Sequence, residues 1–167
     1  MILNTDPVGR DWRVPSNWIN ADLSAARTSG AKHIFAIGHK PAYPFNYQTG
    51  GNDGLNQYPS NRDQFWAALE SNQAEAMFAA HNHVYVHYRP NKTHMVIAGN
   101  GGSILEATTT PSQHFYGYTL VTVLNSGRVI AKSMGHDFSS ATGGYLAPCP
   151  ASTYPTTVRD SVDLTWQ

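Results

Sequence analysis

Three histidines stand where metal chemistry could be done. His39 lies in Gly38-His39-Lys40-Pro41, and His81 and His83 lie in Ala80-His81-Asn82-His83. Each group follows a short apolar run, His33 to Ile37 in the first case and Ala74 to Ala79 in the second. Such runs read as buried strands of a parallel sheet. Ligands of open α/β sheets gather beyond the carboxyl ends of strands of this kind. Residues two apart in an extended turn point the same way, so His81 and His83 are able to face one site. Three imidazoles meeting at one sheet edge would suit Zn, Mn, Fe, Ni or Cu. A single histidine after a strand is more often a hydrogen-bonding group than a ligand, so the His-x-His pair carries most of the weight. The remaining histidines, His33, His87, His94, His114 and His136, read as structural, with His114 also placed to line the site from a nearby hairpin.

The elements that must position these groups follow from spacing. Met1 to Asn4 suggests a short strand. Pro15 starts a helix, where its missing N–H costs nothing. Trp18, Ile19, Leu23 and Ala26 follow at helical spacing, and Gly30 closes the helix. A long loop from Lys40 to about Pro59 is rich in Pro, Gly, Asn and Tyr, and loops of that length are often functional. Asn61 is expected to cap a second helix, with Phe65, Trp66, Ala68 and Leu69 on its inner face. Val84 to Tyr88 and His94 to Ala98 read as strands, and Asn100-Gly101-Gly102 as a turn. Phe115 to Leu124 and Arg128 to Ser133 form a hairpin around Asn125-Ser126-Gly127. From Gly135 onward the chain looks loop-like, with a last strand at Val162 to Thr165. The order predicts α/β passing into an antiparallel sheet.

Bulk composition narrows the function classes. The chain has 167 residues, enough for one domain with its own core. Its 11 basic and 11 acidic residues balance, and no basic run appears, which argues against nucleic-acid binding. No apolar run of membrane-spanning length and no basic amphipathic helix is present, so no membrane partner is expected. Charged residues make up 13%, and the polar bulk comes from Ser, Thr, Asn, Gln and Tyr, a composition common in secreted and periplasmic proteins. One cysteine, Cys149 in Pro148-Cys149-Pro150, excludes an internal disulfide and reads as a loop thiol. The first residues look like half of a core strand rather than a signal peptide, so an N-terminal part is expected upstream of Met1.

Taken together, these segments resemble the calcineurin-like metallophosphoesterases, of the purple acid phosphatase-like or secreted alkaline phosphatase type. Gly38-His39-Lys40-Pro41 resembles the family's GHxP element, and Ala80-His81-Asn82-His83 its GHxH element. Asn61-Arg62-Asp63-Gln64-Phe65-Trp66 with Leu69 resembles the helix that precedes GHxH in secreted-type members. Trp18-Ile19 with Asp22-Leu23, Gly99-Asn100-Gly101-Gly102 and His114-Phe115 fit the flanking segments. The resemblance spans roughly residues 1 to 135, which would form the C-terminal half of the domain, with 136 to 167 a loop-rich extension.

The resemblance implies an α/β fold: the C-terminal half of a four-layer αββα sandwich, with a mixed sheet and a C-terminal antiparallel hairpin. It implies hydrolysis of a phosphate mono- or diester, in which two metals polarise the ester and activate a bridging water. His39 and His81 would ligate one metal and His83 the other, with Zn, Mn, Fe and Ca not distinguished. Tyr43, Asn82 and His114 would contact substrate, and the aromatic loop of Tyr43, Phe45, Tyr47 and Tyr58 would suit an organic leaving group. The family's Asp-x-His, Gly-Asp-x-x-Asp and Gly-Asn-His motifs are absent, and with them the bridging carboxylate that lets two dications sit side by side. No catalytic residue is therefore assigned, and the binuclear site is expected only in the complete domain. Half of such a sandwich exposes a strand edge. The expected partner is the missing N-terminal half, or further copies of the chain associating through that edge. A non-catalytic self-assembling role and a mononuclear three-histidine module are the alternatives.

Overall fold

A computed structural model describes residues 1–5, 13–106, 111–136 and 155–167. The two apolar runs that lead to histidine both become parallel strands. β1 (Ile2–Leu3), β2 (Phe35–Gly38), β3 (Ala76–Ala79), β4 (Tyr85–Tyr88) and β5 (His94–Ala98) form a mixed sheet in the order β1-β2-β3-β5-β4. β1, β2, β3 and β5 run parallel, and β4 is antiparallel to β5. β6 (Tyr116–Val123), β7 (Val129–His136) and β8 (Thr157–Asp163) form a second, antiparallel sheet in sequence order.

Alternation along β3 shows why two sheets stack. Met77 and Ala79 join the core that holds Ile19, Leu23, Phe65 and Leu69 of the helices. Ala76 and Phe78 point the other way, into a core with Phe115, Val129, Ala131 and Leu164. The first sheet is thus apolar on both faces, as a parallel sheet covered on both sides must be. The layers run helices, mixed sheet, antiparallel sheet. The expected mixed sheet and C-terminal antiparallel hairpin are both present. The outer face of the second sheet carries exposed Tyr118, Leu120 and Val158.

The helices are α1 (Ser16–Thr28) and α2 (Pro59–Ser71), packed on each other. Gly30 closes α1 with φ of 91° and donates to the Arg27 carbonyl. The Arg27 guanidinium then donates to the carbonyls of Ala31, Lys32, Asn72 and Gln73, tying the ends of both helices together. Two expectations need correction. Trp18 is 57% exposed, because the buried stripe runs through Ile19 and Leu23 and leaves Trp18 on the flank. Asn61 does not cap α2, which begins at Pro59 with proline in the first turn. Its side chain instead accepts from the Val14 N–H at 2.8 Å and donates to the Val14 carbonyl at 2.9 Å, fixing the entry to α1.

The last strand starts earlier than Val162 and is longer than expected. β8 pairs with β7 through contacts such as Ala131↔Val162 and Met134↔Val158, so the chain beyond 135 contributes a sheet strand and not loop alone. Pro148-Cys149-Pro150 and most of the turn-rich stretch after Asp6 lie outside the described residues. Among the described residues no helix is long and apolar enough to cross a membrane.

Candidate metal centre

Register brings the strand ends level. Leu3, Gly38, Ala79 and Ile97 lie in one row across the sheet. His39 follows Gly38 directly, and His81 comes two residues after Ala79. The backbones of the two motifs are joined, since Ala80 N–H donates to the His39 carbonyl at 3.0 Å. Beside them, the Thr5 hydroxyl accepts from Lys40 N–H at 2.7 Å. Thr5 approaches so closely that a Cβ at Gly38 would stand 2.6 Å from its methyl group, which explains glycine at that position.

The turn after β3 has an unusual residue in an unusual conformation. The positive φ falls on His81, at 60°, and not on Ala80. For a side chain with Cβ, the left-handed region costs on the order of 1–2 kcal/mol. Such conformations persist where the surroundings hold them. Here Asn82 N–H donates to Ala80 O at 2.7 Å and Val84 N–H to Asn82 O at 2.9 Å. Gly99 lets the next strand close over the turn, since a Cβ there would fall 2.0 Å from the Asn82 carbonyl oxygen.

This backbone places two imidazoles against each other. His81 Nδ1 lies 3.2 Å from His39 Nε2, with the rings edge to face at 80°. The other nitrogen of His81, Nε2, lies 2.9 Å from Asp53 Oδ1. A carboxylate accepts, so in the neutral ring His81 Nε2 carries the proton and Nδ1 the lone pair. His83 follows the same logic. Its Nδ1 lies 2.9 Å from the Ile104 carbonyl oxygen, which can only accept, so in the neutral ring Nε2 holds the lone pair. Its backbone N–H donates to Glu106 Oε1 at 3.0 Å.

The chemistry and spacing of the first pair fit a shared ion. Two nitrogens each about 2.1 Å from one metal stand about 3.0–3.4 Å apart at angles of about 90–110°. The observed 3.2 Å falls within that range. Imidazoles with their second nitrogen held by a carboxylate or carbonyl are the usual form of histidine ligands. His83 is turned to the 104–106 segment and does not join the pair. Among the described residues, no group of three or more His, Cys, Asp or Glu side chains is arranged to hold a metal ion.

The other candidates sit around this pair in different ways. Tyr43 packs at 5.0 Å between ring centres against Trp66, with the Arg62 guanidinium over its face at 4.6 Å. Burial pushes its hydroxyl's pKa up, and Arg62 works against that shift. Its carbonyl accepts from the Tyr88 hydroxyl, and Tyr47 stacks on Tyr88, so these aromatics pin the 40–59 loop to β4. Asn82 is buried, its amide receiving from Phe45 N–H at 3.4 Å and donating to Glu106 at 3.3 Å. His114 is half-buried between a 3-10 turn, Pro111–Gln113, and the core residue Phe115. Asp53 was not visible from the motifs. It lies 28 residues before His81, and the length and glycine content of its loop were the signals that pointed near it.

A second histidine pair lies elsewhere. His87 Nε2 is 2.9 Å from His94 Nδ1, with the rings stacked at 19°. Asp160 of β8 accepts from the Tyr85 hydroxyl at 2.8 Å and stands 3.9 Å from His87 Nδ1. Burial lowers the pKa of both rings, that of His94 to about 4, where His87 and Arg89 add to the shift. A cavity of about 350 Å³ beside this pair is lined by Tyr85, His87, Ser112, Gln113, Arg159 and Asp160.

No protein-family model matches the chain, and no curated protein matches it. Solved structures that share its fold include the following two. One is a purple acid phosphatase, PPD1, isolated from yellow lupin seeds, with a TM-score of 0.63 at 17% identity over 97% of this chain and 30% of that one. The other is GAP50, described as the anchor in the inner membrane complex of Plasmodium, with a TM-score of 0.61 at 13% identity over 99% of this chain and 48% of that one. The likeness shows the fold alone, the one found in part of a purple acid phosphatase and of GAP50. The chain spans about half of one of these structures and under a third of the other.

Proposed function

We propose that this chain carries part of the metal centre of a phosphate-ester hydrolase. His39 and His81 would hold one ion between Nε2 and Nδ1, and His83 would present Nε2 toward a second. The observation that carries this reading is the 3.2 Å approach of two ring nitrogens at the level ends of two parallel strands. The fold shared with a purple acid phosphatase supports it. A bound ion there supplies Lewis acidity toward a phosphoryl oxygen. The chain's own residues orient: the β3 turn fixes His81, and Thr5 with the Ala80–His39 bond fixes the His39 loop. The remaining ligands, including any bridging carboxylate, would come from a further segment or a partner chain.

The test is a Zn²⁺ and Mn²⁺ titration of the full chain by calorimetry, beside the His39→Ala variant. One ion per chain is expected, bound roughly 100-fold more weakly in His39→Ala. Hydrolysis of p-nitrophenyl phosphate and its bis-ester is expected only when the missing part is supplied. No metal binding at neutral pH would sink the reading.

A second reading draws on the exposed Tyr118, Leu120 and Val158 and on the likeness to an anchor protein: a non-catalytic piece that assembles through its second sheet. Sedimentation of the metal-free chain separates the two. A stable homo-oligomer that binds no metal favours the second.

A further inference from the structure

Asp53 has no counterpart among the motifs that led to the three histidines, yet it determines what His81 can do. We infer that Asp53 is a positioning residue: it fixes His81 as the Nε2–H tautomer, so that Nδ1 is the ligand nitrogen facing His39. The inference rests on the proposed metal centre. An imidazole free to choose its tautomer presents either nitrogen, and here the choice decides whether a lone pair or a proton faces His39 Nε2. Asp53 Oδ1 at 2.9 Å from His81 Nε2 makes that choice, because a carboxylate offers no hydrogen to donate.

The loop that carries Asp53 is built to hold it there. Leu55, two residues on, is buried and donates its N–H to the Pro41 carbonyl at 2.9 Å, so the loop is tied back to the His39 motif itself. Asn56 Nδ2 donates to the Gly51 carbonyl at 2.6 Å. The glycines on either side allow the tight path. A Cβ at Gly54 would stand 2.5 Å from Pro41 O, and one at Gly51 would overlap the Asn46 side chain. Asp53 itself has a side chain 56% exposed, against 23% for His81, so its position is not explained by packing. Its loop, not burial, aims it at the ring.

The consequence extends to His39. With the lone pair of His81 Nδ1 aimed at it, His39 Nε2 donates in the absence of an ion. Binding an ion between the two nitrogens then requires His39 to carry its proton on Nδ1. His81 is ready for the ion, and His39 is the residue that must change.

Long-range ¹H–¹⁵N NMR of the imidazoles in the full, metal-free chain tests this directly. His81 is expected as the Nε2–H tautomer in the wild type and in Asp53→Asn, which keeps a neutral acceptor. In Asp53→Ala it is expected to lose that tautomer. A Zn²⁺ titration of the same proteins should show binding weakened roughly 10–100-fold in Asp53→Ala and less in Asp53→Asn. The urea midpoint should stay unchanged, which separates positioning from a structural role. An Nε2–H tautomer that survives in Asp53→Ala overturns the inference, whatever the metal affinity. A wild type that shows the tautomer change with Asp53→Ala but binds no Zn²⁺ leaves the orientation of His81 in place and brings down the metal centre instead.

Discussion

The molecule contains two histidine pairs with ring nitrogens at nearly the same distance, 3.2 Å for His39–His81 and 2.9 Å for His87–His94. Their surroundings make them different devices. The first pair sits at strand ends, edge to face, with a carboxylate on its far side. The second is stacked across β4 and β5, and His94 is 5% exposed with its Nε2 buried and without a hydrogen-bond partner among the described residues. Burial favours the neutral ring and outweighs the pull of Asp160 on His87 and of Asp163 on His94, so the inner pair resists protonation. In the outer pair His39 is exposed and His81 half-buried. Distance between two imidazoles therefore says little about their role until the far nitrogen of each has been accounted for.

The largest effect that would sharpen this contrast is in acid. His94 has a folded pKa of about 4 against an ordinary value of 6.5. The unfolded chain binds the proton first as pH falls, so the stability from the neutral ring is fully present above about pH 6.5 and is lost progressively toward pH 4. At about 1.4 kcal/mol per pKa unit, that is a large share of a small domain's stability. His94→Leu should flatten the decline in urea midpoint between pH 7 and pH 5. Equal slopes in His94→Leu and the wild type would remove the distinction between the pairs.

A smaller effect isolates the strain at the outer pair. His81→Gly and His81→Ala both delete the imidazole, but glycine accepts φ of 60° without a Cβ clash. The glycine variant should be the more stable by about 1 kcal/mol, reversing the usual order of the two residues. Thermal or urea unfolding of the two variants reads this difference. Alanine equal to or better than glycine would show that the left-handed turn costs nothing.

The smallest effect serves as the surface reference for both. The exposed Arg128 guanidinium lies 2.7 Å from Asp163, whose carboxyl is held down to about 2 by its hydrogen bonds to Thr165 and Arg128. Arg128→Ala should change stability at pH 7 by well under about 1 kcal/mol. Its effect should fade further only as pH falls below the unfolded value of 3.8 toward 2, when Asp163 protonates. Urea midpoints at pH 7 and pH 3 check the size and direction.

The contrast also marks what the sequence could reveal. The inner face of α2, Phe65, Trp66, Ala68 and Leu69, is buried as its spacing predicts, because helical period and packing agree there. His39 and His81 could be placed together because both follow apolar runs that had to be adjacent strands. The inner pair was legible in principle. His87 lies opposite Val96, so His94 is its diagonal neighbour, and pairing the two strands in that register would have shown it. Asp53 and Asn61 were harder. Asn61 matched the residue preference of a cap but answered to Val14, 47 residues away, and Asp53 answers to a loop path that no period encodes.

The joining of His39 to β2 and of His81 to β3 has a thermodynamic side. An ion gripped by both residues would bind only when the two strands are paired in register, since a slip of one position moves one ligand by about 3.3 Å along the strand. Ion and sheet would then report on each other. At a free ion concentration 100 times the dissociation constant, the paired state would gain about 2.7 kcal/mol. The centre would act as a clasp on the fold as well as a site on it, and the melting temperature of the chain would become a gauge of ion concentration.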